Sequence, residues 1–277
     1  MKTPSFDLAT KVAIVTGATK GMGLAISRMI ARSGGKVVVS SRTLADCEAL
    51  AAELNQHCGK GAAVAVAAQC AIENRAELDN LVEVALAQWG RLTSVVCNAS
   101  TTPWLGATLD MADEDLDYQF ESVFKSKFRL VRKALPALLD SGNGSIVFIS
   151  SGSVHEATSE RSVYACMRAA EIQLIKNLAA EFGPYGVRAN AILPGLIRTE
   201  ASKPLFADPD RLATLTERFP LRRNGEADEI AAAVGFLLSD LSSFTTGHAL
   251  PVDGGRIIHA VNTGLTAAYG GGRWDTR

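Results

Sequence analysis

Three side chains in the middle of the chain have the types and spacing for proton chemistry: Ser151, Tyr164 and Arg168. The stretch 163–182 reads as a helix stopped by Gly183-Pro184, which places Tyr164 and Arg168 one turn apart on one face. A guanidinium beside a phenol stabilises phenolate, the form that takes up a proton. Ser151 follows a predicted strand, Ser145 to Ile149, on a Ser-rich loop where its hydroxyl can hydrogen-bond a small molecule's oxygen. Each residue also has an ordinary use: Tyr164 as a packing aromatic, Arg168 as a surface partner, Ser151 as a helix cap. What separates the two readings is whether the surrounding elements build a ligand cleft.

The stretch that could build it is residues 11–42, KVAIVTGATKGMGLAISRMIARSGGKVVVSSR. Val12 to Val15 reads as a buried strand, and glycines then crowd at Gly17, Gly21 and Gly23. Ile26, Met29 and Ile30 repeat at helical spacing, Gly34-Gly35 ends that helix, and Val37 to Val39 forms a second strand. Strand, Gly-rich turn, helix and strand in about 30 residues is the layout of a dinucleotide-binding βαβ unit. The glycines let the backbone approach a pyrophosphate, whose charge sits on free N–H groups at the helix N-terminus. A tight turn with no ligand has the same local pattern.

Beyond Arg42 the same alternation continues. A helix carrying Cys47, Leu50, Ala51 and Leu54 precedes a third strand at Ala62 to Ala68. Leu78, Leu81, Val82, Ala85 and Trp89 mark another helix, and Thr93 to Cys97 a fourth strand. Asp113-Glu114-Asp115 opens one long helix running to about Leu139. Val187 to Leu193 is a sixth strand ending at Pro194-Gly195, residues 196–224 hold short helical pieces, and Ile230, Val234, Leu237 and Leu238 mark the last helix before a strand at Ala249 to Val252. The expectation is an α/β fold: one doubly wound, Rossmann-type domain over 1–277, with about seven parallel strands, a core at 8–256 and a Gly-rich tail that is either loose or packed on a neighbouring subunit.

A net charge of −1 offers no basic field for nucleic acid or an anionic membrane. The basic run Lys125, Lys127, Arg129, Arg132 and Lys133 reads as a solvated or subunit-facing helix surface. Cys47, Cys58, Cys70, Cys97 and Cys166 lack metal-ligand spacing and read as small buried hydrophobes, with no metal expected. The start, MKTPSFDLATK, has no apolar signal core and no 18-residue apolar run occurs, so a cytoplasmic protein without a membrane span is expected.

The motifs together resemble the short-chain dehydrogenase/reductase family. They are TGATKGMG, Asn98-Ala99 after strand four, Ile149-Ser150-Ser151 after strand five, Tyr164 thirteen residues past Ser151, Pro194-Gly195 with Thr199, and Val252-Asp253-Gly254-Gly255. The resemblance spans residues 8–256 and implies an enzyme that works as a dimer or tetramer. It implies that Tyr164 gives or takes a proton while hydride passes between a carbinol carbon and nicotinamide C4, with Ser151 on the substrate oxygen and Arg168 beside the phenol. It also implies a cofactor held by Gly17, Gly21, Met22 and Gly23, by Asn98 and Ala99, by Tyr164 and Arg168, and by Pro194, Gly195, Ile197 and Thr199. Strand two ends Ser40-Ser41-Arg42, without the acidic residue that grips a ribose 2′-OH. Arg42 and Lys20 would instead meet a 2′-phosphate, so NADP(H) is expected over NAD(H), unless both are solvated surface cations.

Four positions depart from the family pattern. Arg168 stands for the lysine of Tyr-x-x-x-Lys, Val123 for the proton-relay asparagine, Ala71 for the adenine-contacting aspartate, and Cys97-Asn98-Ala99-Ser100 for Asn-Asn-Ala-Gly. Arginine keeps the charge but cannot release a proton. Ser-Tyr-Arg is also the set of halohydrin dehalogenases, which have lost the nucleotide but carry a bulky aromatic where this chain has Gly21. A non-catalytic, nucleotide-binding member is the third alternative. Trp104, His155, Leu196, Leu205 and Phe206 fall in loops expected to rim the pocket, suggesting a small, largely apolar carbonyl or alcohol substrate. His155, a lone loop histidine, is left out of the catalytic set.

Overall fold

A computed structural model of the chain describes residues 6–59, 61–101, 104–157, 161–217 and 219–258. Its centre is a seven-stranded parallel sheet made of β1 (Val12–Thr16), β2 (Lys36–Ser41), β3 (Ala65–Gln69), β4 (Ser94–Cys97), β5 (Gly144–Ile149), β6 (Val187–Pro194) and β9 (Ala249–Val252). The spatial order is β3-β2-β1-β4-β5-β6-β9. The chain moves outward from β1 to β3, then returns to place β4 on the other side of β1. That reversal opens a crevice beyond the C-terminal ends of β1 and β4, and the motif residues collect there.

The sheet is buried on both faces because helices cover both, and its central strands are accordingly near-continuous apolar runs. On one side α1 (Gly21–Arg32), α2 (Leu44–Cys58) and α9 (Ala227–Leu238) pack through Ile26, Met29, Leu50, Val234 and Leu237. On the other, α3 (Arg75–Trp89), α5 (Ser126–Asp140) and α6 (Ser162–Phe182) pack through Leu78, Leu81, Leu130, Leu138 and Ile175. The apolar residues expected on α2 and α3 are buried, apart from Trp89, which is half-buried with its indole N–H on the Ala63 carbonyl at 3.2 Å.

Several expectations need correction. The third strand begins at Ala65, not Ala62, where the Asn55 amide takes over, accepting from the N–H groups of Val64 and Ala65 and donating to the Ala65 carbonyl. Residues 196–224 hold β7 (Ile197–Arg198), α7 (Lys203–Phe206) and α8 (Pro209–Thr216); β7 pairs in parallel with β8 (Gly225–Glu226) in a small second sheet that the sequence did not signal. The long helix is three pieces: α4 (Asp113–Gln119), a π-helical turn at Phe120–Lys125, and α5. Ser122 donates to the Tyr118 carbonyl at 2.8 Å and Ser126 to the Ser122 carbonyl at 2.6 Å, hydroxyl bonds that compete with the regular ladder. Lys127 precedes Leu130, Val131, Ala134 and Leu138 by three, four, seven and eleven residues, which puts it on the core face of α5, where it is 2 % exposed. The basic run is therefore not wholly a solvated surface. Among the cysteines, Cys47, Cys70 and Cys97 are buried as expected, but Cys58 is half-buried and Cys166 exposed.

The Gly-rich stretch from Gly264 lies outside the described residues. Among the described residues, no helix is long and apolar enough to cross a membrane.

Candidate active site

The glycine turn is fixed from β4. Thr16, last in β1, accepts on its hydroxyl from the N–H groups of Asn98 and Ala99, each at 3.1 Å. The Asn98 amide donates back to the carbonyls of Thr16 (3.0 Å) and Gly17 (3.1 Å). Asn98 is therefore a brace for the turn, and its side-chain amide is committed to that work. Gly17 has φ +64°, which only glycine adopts without strain. Gly23 is required by space: a Cβ there would lie 2.0 Å from the Gly17 carbonyl oxygen. Over Gly21 sits the Thr199 side chain, whose methyl carbon would be 3.2 Å from an added Cβ. Pro194, Gly195 and Ile197 line the same edge; Gly195 donates to the Val252 carbonyl at 3.0 Å, and Ile197 is buried in the core. Met22 packs, half-buried, against the core beneath α1.

Helix α1 opens without a side-chain cap at Lys20 and with no acidic residue in its first turn. Its N-terminal dipole is left to an outside anion. Lys20 and Arg42 are exposed. Lys20 has only a loose partner, Asp46 at 4.0 Å, worth little at such exposure. Ser41 is half-buried, its hydroxyl 3.1 Å from the Cys47 sulfur.

Tyr164 stands at the start of α6, half-buried, and the Arg168 guanidinium lies over its ring, 4.7 Å from the centroid. The structure thus brings together the pair that the sequence placed one turn apart. Arg168 is 3 % exposed. Its Nη1 donates to the Ile149 carbonyl at 3.1 Å and to both Glu171 oxygens at 3.0 and 3.1 Å; its Nη2 donates to the Ser100 hydroxyl at 2.7 Å. Nε–H is buried without an acceptor among the described residues. Burial opposes the charge on Arg168, but Glu171 and Tyr164 outweigh it and hold the guanidinium above its ordinary pKa.

Below Arg168 lies a residue that the sequence pattern assigned to the surface. Lys127 donates to Glu171 Oε1 at 2.5 Å and to the Ile149 carbonyl at 3.3 Å, with its ammonium 5.4 Å from the Phe148 ring. Burial and the neighbouring Arg168 push its pKa down to about 8, against the pull of Glu171. Glu171 is fully buried and is likewise absent from the expected site. A signal for it exists: Arg168, Glu171, Ile175 and Leu178 fall on one helical face, and an acid in the middle of an apolar stripe beside an arginine requires a buried partner.

Ser151, half-buried past β5, accepts from the Ser153 N–H at 3.2 Å and the Ser153 hydroxyl at 3.0 Å. It does cap a short turn, as the ordinary reading had it, yet its own O–H stays available to donate. Val123 is fully buried and apolar, so it brings no relay group. Ala71 supplies its N–H to Glu77 at 2.7 Å and no carboxylate. Of the expected rim, the Trp104 indole lies across Gly106, Phe206 lies under the Arg198 guanidinium at 4.7 Å, and His155 is exposed. The Leu205 side chain lies outside the described residues. A cavity of about 250 Å³ adjoins this edge through Gly195 and Leu196, but Tyr164 and Ser151 do not line it.

Comparison with known proteins decides the family. A family model described as Enoyl-(Acyl carrier protein) reductase matches residues 17–256. The chain belongs to the short-chain dehydrogenase/reductase family. It is 34% identical over 252 residues to dehydrogenase/reductase SDR family member 4 of Bos taurus, covering 91% of this chain and 89% of that one. The Homo sapiens protein of the same description is 33% identical, with 90% and 88% covered. Among solved structures, an NADPH-bound short-chain oxidoreductase from Pseudomonas aeruginosa PAO1, described as containing an atypical catalytic center, superposes with a TM-score of 0.85 at 29% identity, covering 92% of this chain and all of that one. A short-chain dehydrogenase/reductase from Mycobacterium ulcerans gives 0.86 at 27%, with 92% of each chain covered. Within this family of oxidoreductases, two of the four departures noted in the sequence meet in space: Ser100 is the acceptor that Arg168 Nη2 needs.

Proposed function

We propose that the protein is an NADP(H)-dependent oxidoreductase that interconverts a small, largely apolar carbonyl and its secondary alcohol. The observation that carries this reading is the buried Arg168 guanidinium held 4.7 Å over the Tyr164 ring, at the end of the sheet where the glycine turn follows β1. The residues fit a nicotinamide dinucleotide: Gly17, Gly21 and Gly23 keep the turn free of side chains, α1 begins uncapped, and Arg168 Nε–H lacks an acceptor among the described residues. Gly17, Gly21, Met22 and Gly23 would take the pyrophosphate; Ala99, Pro194, Gly195, Ile197 and Thr199 would flank the nucleotide; Arg168 would serve the nicotinamide ribose. When bound, the cofactor supplies or accepts hydride.

The chain's own residues manage the proton. In the reducing direction Tyr164 gives its phenolic proton to the substrate oxygen, and Ser151 donates a hydrogen bond to that same oxygen. Arg168 stabilises the phenolate left behind by its fixed charge. Being permanently protonated, it acts by charge alone, so the phenolate recovers its proton from water. Oxidation runs the same steps backwards. Arg42 and Lys20, exposed at the end of β2 and the start of α1, favour a 2′-phosphate, which supports NADP(H) over NAD(H). We further propose a cytoplasmic homo-oligomer, dimer or tetramer.

Titrating the purified protein with NADPH and NADH, read by nicotinamide fluorescence, tests the cofactor: saturable binding, tighter for NADPH, is expected. Tyr164→Phe should keep that binding and lose turnover. Halide release from a halohydrin without any nucleotide would support dehalogenase chemistry and overturn this proposal.

A further inference from the structure

Arg168 does not face Tyr164 alone. Behind it, Lys127 on α5 and Glu171 on α6 are 2 % and 0 % exposed, and both cations share the Ile149 carbonyl and the Glu171 carboxylate. We propose that Lys127 and Glu171 are positioning residues that set the charge against which Tyr164 ionises: Arg168, Lys127 and Glu171 make a buried set with one net positive charge, and a phenolate at Tyr164 brings it to zero. The inference rests on the reading of Tyr164 as the proton-exchanging group.

Charge counting inside a low-dielectric site supports this. An ion buried without compensation is costly, and the three-residue set has one cation too many. Two exits exist. Tyr164 can lose its proton, or Lys127 can, and both leave the cluster neutral. Other groups near the ammonium do not alter the count. From β4, Cys97 faces Lys127, but burial raises its thiol to about 12 and keeps it uncharged. From β5 come the Phe148 ring and the Ile149 carbonyl, neither of which titrates. From α6 come Arg168 and Glu171 themselves. Lys127, held near 8, stays cationic at neutral pH and supports the phenolate there. The chain thereby places a titratable cation behind a permanent one.

The count makes signed predictions. Lys127→Met removes a cation and leaves a neutral Arg168–Glu171 pair, so phenolate is supported less. Glu171→Gln takes away the anion that holds the proton on Lys127, so Lys127 sheds it and Arg168 again stands as the single charge. The double variant Lys127→Met/Glu171→Leu restores a single net charge and should behave like the parent. The measurement is ¹³C NMR of the full chain labelled at the tyrosine ring carbon bearing oxygen, with the Tyr164 resonance assigned by its loss in Tyr164→Phe. The midpoint of its titration should rise by about one pH unit in Lys127→Met, the size of a shift from one lost charge nearby, and stay near the parent value in Glu171→Gln. The double variant and Lys127→Arg should return to the parent midpoint. A Lys127→Met midpoint that does not rise, or a double variant or Glu171→Gln that rises with it, would overturn the proposal. If Glu171→Gln does not fold, Lys127→Met against Lys127→Arg still isolates the charge. No turnover is needed, so a Tyr164→Phe variant with full activity would strike the assignment of Tyr164, while unmoved midpoints strike the charge-setting role by itself.

Discussion

Removing the guanidinium from Arg168 isolates what its charge does for Tyr164. Arg168→Met keeps most of the side-chain length and discards the charge. At 4.7 Å from the ring centroid and an effective dielectric near 20, one positive charge stabilises a phenolate by about 3.5 kcal/mol. That corresponds to a loss of two to three orders of magnitude in kcat/KM at neutral pH, on the order of 1.4 kcal/mol for each tenfold. The fold should survive, because Glu171 keeps Lys127 at 2.5 Å and is not left as an uncompensated buried anion. The assay is NADPH oxidation with a small apolar ketone at saturating cofactor, alongside thermal melts of both proteins. Arg168→Lys is the companion: it keeps the charge but cannot fork onto Ser100 and Glu171 at once, and should retain activity within about tenfold of the parent. Should Arg168→Met fold normally and work within tenfold of the parent, the guanidinium would not be serving a phenolate and the reasoning would be refuted.

Three further outcomes rest on the same geometry. Gly23→Ala would put a methyl group 2.0 Å from the Gly17 carbonyl oxygen, so the turn must open; NADPH affinity by fluorescence titration should fall by more than tenfold. Ser100→Gly strips the acceptor from Arg168 Nη2; because Ser100 is exposed and water can enter, the cost is at the low end for an unmet donor, about 1 kcal/mol, or a Tm drop of roughly 2–4 °C. Glu229 is held at about 2, below its ordinary 4.5, first by its hydrogen bond from Arg223 and then by the Glu226 N–H. A depressed carboxyl lends stability at pH above about 4.5 and loses it as pH falls through about 2, so urea melts of Glu229→Gln should approach the parent only in that acid window.

The parts of the fold that the sequence announced are those set by short-range patterning. Val12 to Val15 and Val37 to Val39 are too apolar to be anything but buried strands, and Cys47, Leu50, Ala51 and Leu54 mark the inner face of α2 directly. The glycine turn was legible because Gly17 and Gly23 answer to conformation and space that no other residue meets. Lys127 was legible by its spacing and was hidden by its charge. It stands between Lys125 and Arg129 in a basic run that was read as one surface, but residues two apart face opposite sides of a helix, and Lys127 shares the core face of Leu130, Val131, Ala134 and Leu138. The π turn at Phe120–Lys125 was not legible: hydroxyl competition from Ser122 and Ser126 is a local cause, yet serines in a helix do not foretell a widened turn unless tertiary packing selects it. The β7–β8 pairing escaped for the complementary reason: two residues per strand carry no period.

Arg168 cannot be understood as a lysine substitute taken singly. A guanidinium is planar, always charged and rich in donors, so burying it beside Tyr164 creates demands that a compact ammonium would not make. This chain meets them from three directions: the Ile149 carbonyl at the end of β5, the Glu171 carboxylate one turn along α6, and a hydroxyl at Ser100, where the family pattern has glycine. Glu171 then becomes a buried anion with capacity to spare, and Lys127 fills it from α5. The residues are therefore one unit, and reverting one position does not restore an ordinary site. Arg168→Lys alone leaves Ser100 without its donor, whereas Arg168→Lys combined with Ser100→Gly removes that conflict and keeps the charge of Lys127. If the unit is real, this double variant should exceed Arg168→Lys in kcat/KM and in Tm; effects that simply add would show the positions to be independent.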